Sequence, residues 1–174
     1  MTADEVKRLL GLVPHPREGG WYVQTYESGE RIAAEAFSAG RYSGARHSST
    51  AIYYLLERGT FSEMHRLRSD EVFHFYAGDA VEMLQLDEQG GGRTVRLGNR
   101  LDEGEQPQVV VRRGVWQGSR LAAGGAWALL GCTVSPGFEF EDYEAGSRAE
   151  LCARWPEFRQ LICELTHPRP ATPR

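Results

Sequence analysis

A chain of 174 residues is long enough for one domain with a genuine core and too short for two ordinary ones. Hydrophobic residues at 41% and charged residues at 25% are globular values, and 20 Gly with 8 Pro suit the many turns of a short-stranded β protein. A formal charge of −4 with dispersed Lys and Arg argues against nucleic acid as a partner, and no apolar run is long enough to cross a bilayer, so a cytoplasmic protein with no membrane partner is expected.

Thr2 followed by Glu5 has capping-box spacing, and Val6, Leu9 and Leu10 share a face, which predicts a helix over 3–10 ended by Gly11. The segment PHPREGGWY is Pro- and Gly-rich until Trp21, where a strand begins and runs to about Tyr26. Residues 27–48 have no clear period and read as a long loop, either a lid or binding segment or a surface excursion. From Thr50 the chain becomes a succession of short apolar runs: TAIYYLL, FSEMHRL, EVFHFYA, AVEMLQL, TVRL, QVVV, WQGSRL and AWALLGCTV. The turn residues between them predict a β-sandwich or barrel. Ser147 with Glu150 repeats the capping-box spacing, and Pro156 opens a second helical segment, so two short helices follow the strands. The Pro-rich tail HPRPATPR is expected to fray. Cys132, Cys152 and Cys163 form no CxxC pair and read as buried thiols.

The chemistry concentrates in GTFSEMHRLRSDEVFHFYAG, which sets His65 and Glu71 among Leu and Phe. Strand alternation groups His65 with Glu63 and Leu67, and Glu71 with Phe73 and Phe75. A buried imidazole and carboxylate each need a partner: each other, a polar ligand, or a divalent metal such as Zn, Ni, Fe or Mn. Gln117 in RRGVWQG is the third candidate of the metal set, though an amide oxygen is a weak ligand. His74 lies on the opposite face unless a bulge turns it inward, and is more plausible at an interface or surface. Tyr54, Phe73, Phe75 and Trp116 supply aromatic surface, mostly for the core, with one or two able to stack on a ligand. His15 in its Pro-flanked turn and His47 in the long loop read as structural or solvated, and the Glu139, Glu141 and Asp142 patch reads as a solvated loop.

Gly59, His65, Leu67, Glu71 and Gly78 stand at the intervals of the first signature of the cupin superfamily, which the stretch resembles, with Leu67 in the place of the second His. Arg112 to Gln117 occupy the frame of the second signature, with Gln117 in the place of its His. Through PHPREGGWY, STAIYYLL, FSEMHRLRSDEVFHFYAG, VWQG and GCTVSPGFEFEDYE the chain is identified as a member of the cupin-5 branch, from about Gly11 to the last helix. The resemblance implies an all-β fold, a double-stranded β-helix or jelly-roll barrel similar in shape to deoxysugar-nucleotide epimerases, with short N- and C-terminal helices. It implies one domain over 1–174, with a barrel core at about 20–135 and C-terminal helices at about 147–166, and usually a homodimer. It carries no settled activity. Leu67 and Gln117 depart from the set of metal-binding cupins, which argues against an oxygenase.

Three functions compete. The first is a pocket that binds a small polar metabolite, such as a sugar or sugar acid, through His65, Glu71, Gln117, His74 and the aromatic residues. The second is a metal-independent isomerase, epimerase or lyase with His65 and Glu71 as catalytic pair. The third is a divalent-metal enzyme with His65, Glu71 and Gln117 as ligands.

Overall fold

The computed structural model describes residues 1–38 and 40–168, so most of the tail expected to fray lies outside the described residues. Helix α1 (Ala3–Leu10) starts at Thr2, whose hydroxyl accepts from the Glu5 backbone N–H while the Glu5 carboxylate accepts from the Thr2 N–H, and it ends at Gly11. Only Val6 of α1 is fully buried, packed with Leu12 and Leu55. Strands β1 (Val13–Pro14) and β2 (Trp21–Glu27) pair antiparallel around the Pro- and Gly-rich turn. Among the described residues of 27–48 are β3 (Arg31–Ile32), a 3-10 turn over Ala34–Ala36, and β4 (Arg46–His47), which pairs with β3. No apolar periodicity announces these strands, because two residues each are too few to show one.

Next come β5 (Thr50–Glu57), β6 (Phe61–Arg66), β7 (Asp70–Gly78), β8 (Val81–Leu86) and β9 (Gly92–Leu97). They are followed by β10 (Gln108–Val111), β11 (Trp116–Leu121), β12 (Trp127–Ser135) and β13 (Glu144–Ala145). Two antiparallel sheets result, in the orders β1-β2-β5-β12-β7-β10 and β13-β6-β11-β8-β9. Alternation sends Tyr54, Leu56, Phe73, Met83, Val109 and Leu130 into one cluster between the sheets. Each such burial contributes about 1.5–3 kcal/mol.

The outer face of the second sheet is covered by α2 (Arg148–Arg154) and α3 (Arg159–Glu164). Met64, Leu84, Leu86 and Trp116 meet Leu151, Trp155 and Ile162 there. The Trp155 indole is 1% exposed and donates to the Gly91 carbonyl at 3.1 Å, so its polar edge is satisfied inside the contact. Among the described residues no helix is long and apolar enough to cross a membrane.

Candidate functional site

Register brings the predicted pair together from different sheets. Gln117 on β11 stands directly opposite His65 on β6, and Glu71 comes across the interior from β7, between Val134 of β12 and Val111 of β10. The β6–β11 ladder slips between Gln117 and Ser119, pairing Ser119 with Ser62. That irregularity changes the face assignment read from alternation, since Ser62 and His65, three residues apart, both reach the same carboxylate.

The carboxylate is Glu18, which the sequence reading passed over. It projects from the loop between β1 and β2, which is held against β6 by the Glu63 N–H donating to the Glu18 carbonyl. The following pair, Gly19 and Gly20, has φ of +95° and +67°, and a Cβ on Gly20 would lie 2.8 Å from the Tyr54 hydroxyl. Only glycine permits that approach, through which the Tyr54 hydroxyl donates to the Gly19 carbonyl at 2.8 Å. Glu18 thereby accepts from the Ser62 hydroxyl at 2.6 Å, and its other oxygen lies 3.9 Å from His65 Nε2 and 4.0 Å from His15 Nε2.

The two imidazoles are set as opposite tautomers. His15 Nδ1 accepts from the Glu18 backbone N–H at 2.9 Å, so its hydrogen sits on Nε2. His65 Nδ1 donates to the Glu63 carbonyl at 2.6 Å, which makes Nε2 the acceptor nitrogen of the corresponding neutral tautomer. The Gln117 amide N–H₂ lies 3.3 Å from that nitrogen and also donates to Glu71. Tyr143 stacks on the His65 ring at 4.9 Å between centroids and an interplanar angle of 20°. Burial holds His15 below its ordinary pKa, against the opposing pull of Glu18. Burial first, and then the field of Glu18, push the Glu71 carboxyl up to about 8, so it carries its proton at neutral pH. The Cys132 thiol is pushed well above its usual range by burial and by the fields of Glu71 and Glu18, which leaves it a poor nucleophile.

His15, Glu18, His65, Glu71 and Cys132 line a cavity of about 90 Å³, with walls that include Tyr22, Ile52, Leu67, Val134, Phe138 and Phe140; Gln117 lies behind His65 and Glu71. The aromatic candidates from the sequence lie elsewhere. Phe73 and Tyr54 are core, Phe75 packs against that core, and Trp116 faces α2 and α3 with the Arg66 guanidinium 4.6 Å over its ring. His74 stays on the outer face, 3.3 Å from the Thr133 hydroxyl and stacked beside Tyr76. His15, expected to be structural or solvated, is instead a cavity residue. The expected solvated acidic patch is also corrected: Asp142 is buried, and with Glu141 it holds the Arg46 guanidinium.

The donor set does not fit the divalent metal considered from the sequence. Gln117 turns N–H donors, not its carbonyl, toward both His65 and Glu71. Among the described residues no group of three or more His, Cys, Asp or Glu side chains is arranged to hold a cation.

Two antiparallel sheets closed face to face, with a His–Glu–Gln constellation spanning their interior, define a jelly-roll barrel of the cupin kind. The family model described as Cupin superfamily (DUF985) matches residues 4–146, and the chain belongs to that family, Cupin_5. A solved Shewanella oneidensis protein is 34% identical, with a TM-score of 0.84 and coverage of 97% of this chain and 99% of that one. A hypothetical protein from Leishmania major is 32% identical, with a TM-score of 0.85 and coverage of 96% and 99%. Oxalate decarboxylase from Bacillus subtilis shares the fold alone, at 12% identity, a TM-score of 0.51 and coverage of 92% and 41%. No protein of curated description matches the chain.

Proposed function

We propose that the cavity binds the polar end of a small metabolite, of the hydroxy-acid or sugar-acid class, and that His65 and Glu71 are its recognition pair. The observation that carries this reading is the alternation of hydrogen-bonding roles on one buried surface. His15 Nε2–H and the protonated Glu71 carboxyl donate and Glu18 accepts, while Gln117 sits behind them, its amide joining His65 Nε2 to Glu71. Such a set suits hydroxyl and carbonyl oxygens, which need both kinds of partner. At about 90 Å³ the cavity is well under the roughly 300–1,000 Å³ of sites for drug-sized ligands, so it encloses a fragment of a few heavy atoms. The homodimer implied by the family resemblance belongs to the same proposal, supported by Tyr26, Tyr76 and Val110 exposed on strands of the first sheet.

A second reading is metal-independent isomerisation, epimerisation or elimination. It is favoured by the placing of an imidazole nitrogen, His65 Nε2, one amide away from a carboxyl that still holds its proton, the pairing of a base with an acid. His65 would remove a proton next to a carbonyl, and Glu71 would donate to the developing oxyanion.

Incubating the protein in D₂O with a panel of short hydroxy acids, aldoses and sugar acids, observed by NMR, tests both. Binding without deuterium uptake supports the first reading, and uptake lost in His65→Asn supports the second. A panel in which nothing binds the wild type in preference to His65→Asn and Glu71→Gln would overturn both.

A further inference from the structure

Beside the barrel a second concavity of about 600 Å³ opens between Gly40–Arg41, the β6–β7 turn, the β10–β11 turn and the stretch 141–144 before β13. Its size lies within the range of metabolite sites. Four arginines reach it: Arg41, Arg66, Arg68 and Arg113.

Its acidic residues are already engaged. Glu141 and Asp142 hold Arg46, and Glu144 holds Arg66 in a two-pronged pair with Glu88 3.7 Å away. Asp70, next to the groove, accepts from the Arg112 guanidinium and from the Arg113 backbone N–H, not from the Arg113 side chain. The ion pairs of the groove's own carboxylates are made with Arg46 and Arg66, and that of Asp70 with Arg112, not with Arg41, Arg68 or Arg113.

All three line this one groove, and two of them are joined. Arg41 Nε donates to the Arg68 carbonyl at 3.0 Å, and Arg68 Nη1 donates to the Arg41 carbonyl at 3.1 Å, a reciprocal clasp. The next turn is tied to the same place by the Gly114 N–H donating to the Leu67 carbonyl at 2.9 Å. The Arg41 guanidinium is further steadied over the Tyr42 ring at 4.9 Å and the Phe37 ring at 5.4 Å. A guanidinium carries five N–H groups, so each arm of the clasp leaves four for another acceptor. Glu141 and Asp70 act on Arg68 and Arg41 through their fields only, without an ion-pair contact, so the free N–H groups of both guanidinium ions remain open to an anion.

The geometry points to a phosphoryl-binding site in this groove, with Arg41, Arg68 and Arg113 as its ligands for a phosphate or phosphate ester. A tetrahedral dianion offers oxygens to several forks at once, whereas a carboxylate fills one. The site is separate from the barrel cavity, though Leu67 borders both, and it stands whether or not the barrel reading does.

Titration calorimetry with inorganic phosphate and with pyrophosphate, at matched ionic strength, tests it. The wild type should show one saturable site, with pyrophosphate the tighter ligand. Arg113→Ala, an exposed side chain, and Arg68→Ala should each weaken it at least tenfold. Arg68→Lys, which keeps charge but loses the fork, should weaken it severalfold and guards against loss of the clasp by misfolding. Arg58→Ala, outside the groove, should bind as the wild type does. Absence of saturable binding, affinity unchanged in both Arg113→Ala and Arg68→Ala, or an equal loss in Arg58→Ala as from diffuse charge, would each overturn the assignment.

Discussion

Glu71→Gln should remove most of the protein's loss of stability between mildly acidic and alkaline pH. In the folded state the Glu71 carboxyl titrates at about 8, against an ordinary 4.5. A carboxyl with a raised folded pKa binds more protons folded than unfolded throughout that window. Its contribution is therefore complete below 4.5, declines as pH rises from 4.5 to 8, and is constant above. At 1.36 kcal/mol per pH unit the decline amounts to roughly 5 kcal/mol. Gln keeps the shape of the protonated acid and does not ionise, so its stability should be flat where that of the wild type slopes. Urea unfolding at pH 5, 7, 8 and 9, with slope m compared between variants, gives the difference directly. The wild type should lose several kcal/mol relative to Glu71→Gln between pH 5 and 9. A difference that stays the same at every pH would show that Glu71 is already ionised in the fold, and the donor role given to it would fall.

Three other perturbations separate the parts of the structure. Glu18→Gln removes the second cause of the Glu71 shift and leaves burial, so the midpoint of that pH-dependent difference should move below 8 while remaining above 4.5, read from the same urea series. Gly20→Ala places a Cβ 2.8 Å from both the Tyr54 hydroxyl and the Leu55 carbonyl at φ +67°; it should lower stability by more than the roughly 1–2 kcal/mol of the backbone conformation alone, measured by thermal and urea unfolding. Trp155→Ala empties the contact between α2, α3 and the second sheet and should cost about 3–5 kcal/mol by denaturant unfolding, with the barrel ligand site retained if the two clusters are independent.

The fold was legible because short strands with polar turns repeat from Thr50 onward, and because the capping pairs Thr2–Glu5 and Ser147–Glu150 mark helix starts that the structure contains, the second with only the Ser147 hydroxyl accepting from Glu150. What the pattern could not supply was depth. Alternation separates two faces but does not say which aromatic fills the core and which a cavity, so Tyr54 and Phe73 were as eligible as Tyr22 or Phe140. It also presumes an unbroken ladder, and the slip on β6 redirects Ser62 and His65 toward Glu18. Glu18 and His15 were hidden for another reason: a Pro- and Gly-rich turn has no periodicity to assign a face. The available signal was the Gly19–Gly20 pair itself, which allows a backbone to lie against a neighbouring side chain and its flanking residues to enter an interior.

Two substitutions, Leu67 and Gln117, link this site to the metal-binding set that its spacing resembles. In place of a cation drawing imidazole and carboxylate together, the neutral Gln117 amide donates to both. An amide supplies hydrogen bonds but little charge, so it offsets only part of the desolvation of Glu71, and the carboxyl keeps its proton. Restoring imidazole donors should reverse this order. Leu67 already lines the cavity, and Gln117 faces His65 across the ladder. The double variant Leu67→His/Gln117→His should therefore bind zinc or nickel at least tenfold more tightly than the wild type and lose its pH-dependent instability, because a bound cation favours ionised Glu71. Elemental analysis of both proteins, purified without a metal-affinity step, together with the urea series decides the matter. Stoichiometric metal in the wild type that disappears in His65→Ala and Glu71→Ala would mean that Gln117 presents its carbonyl instead, and that the site is a metal centre after all.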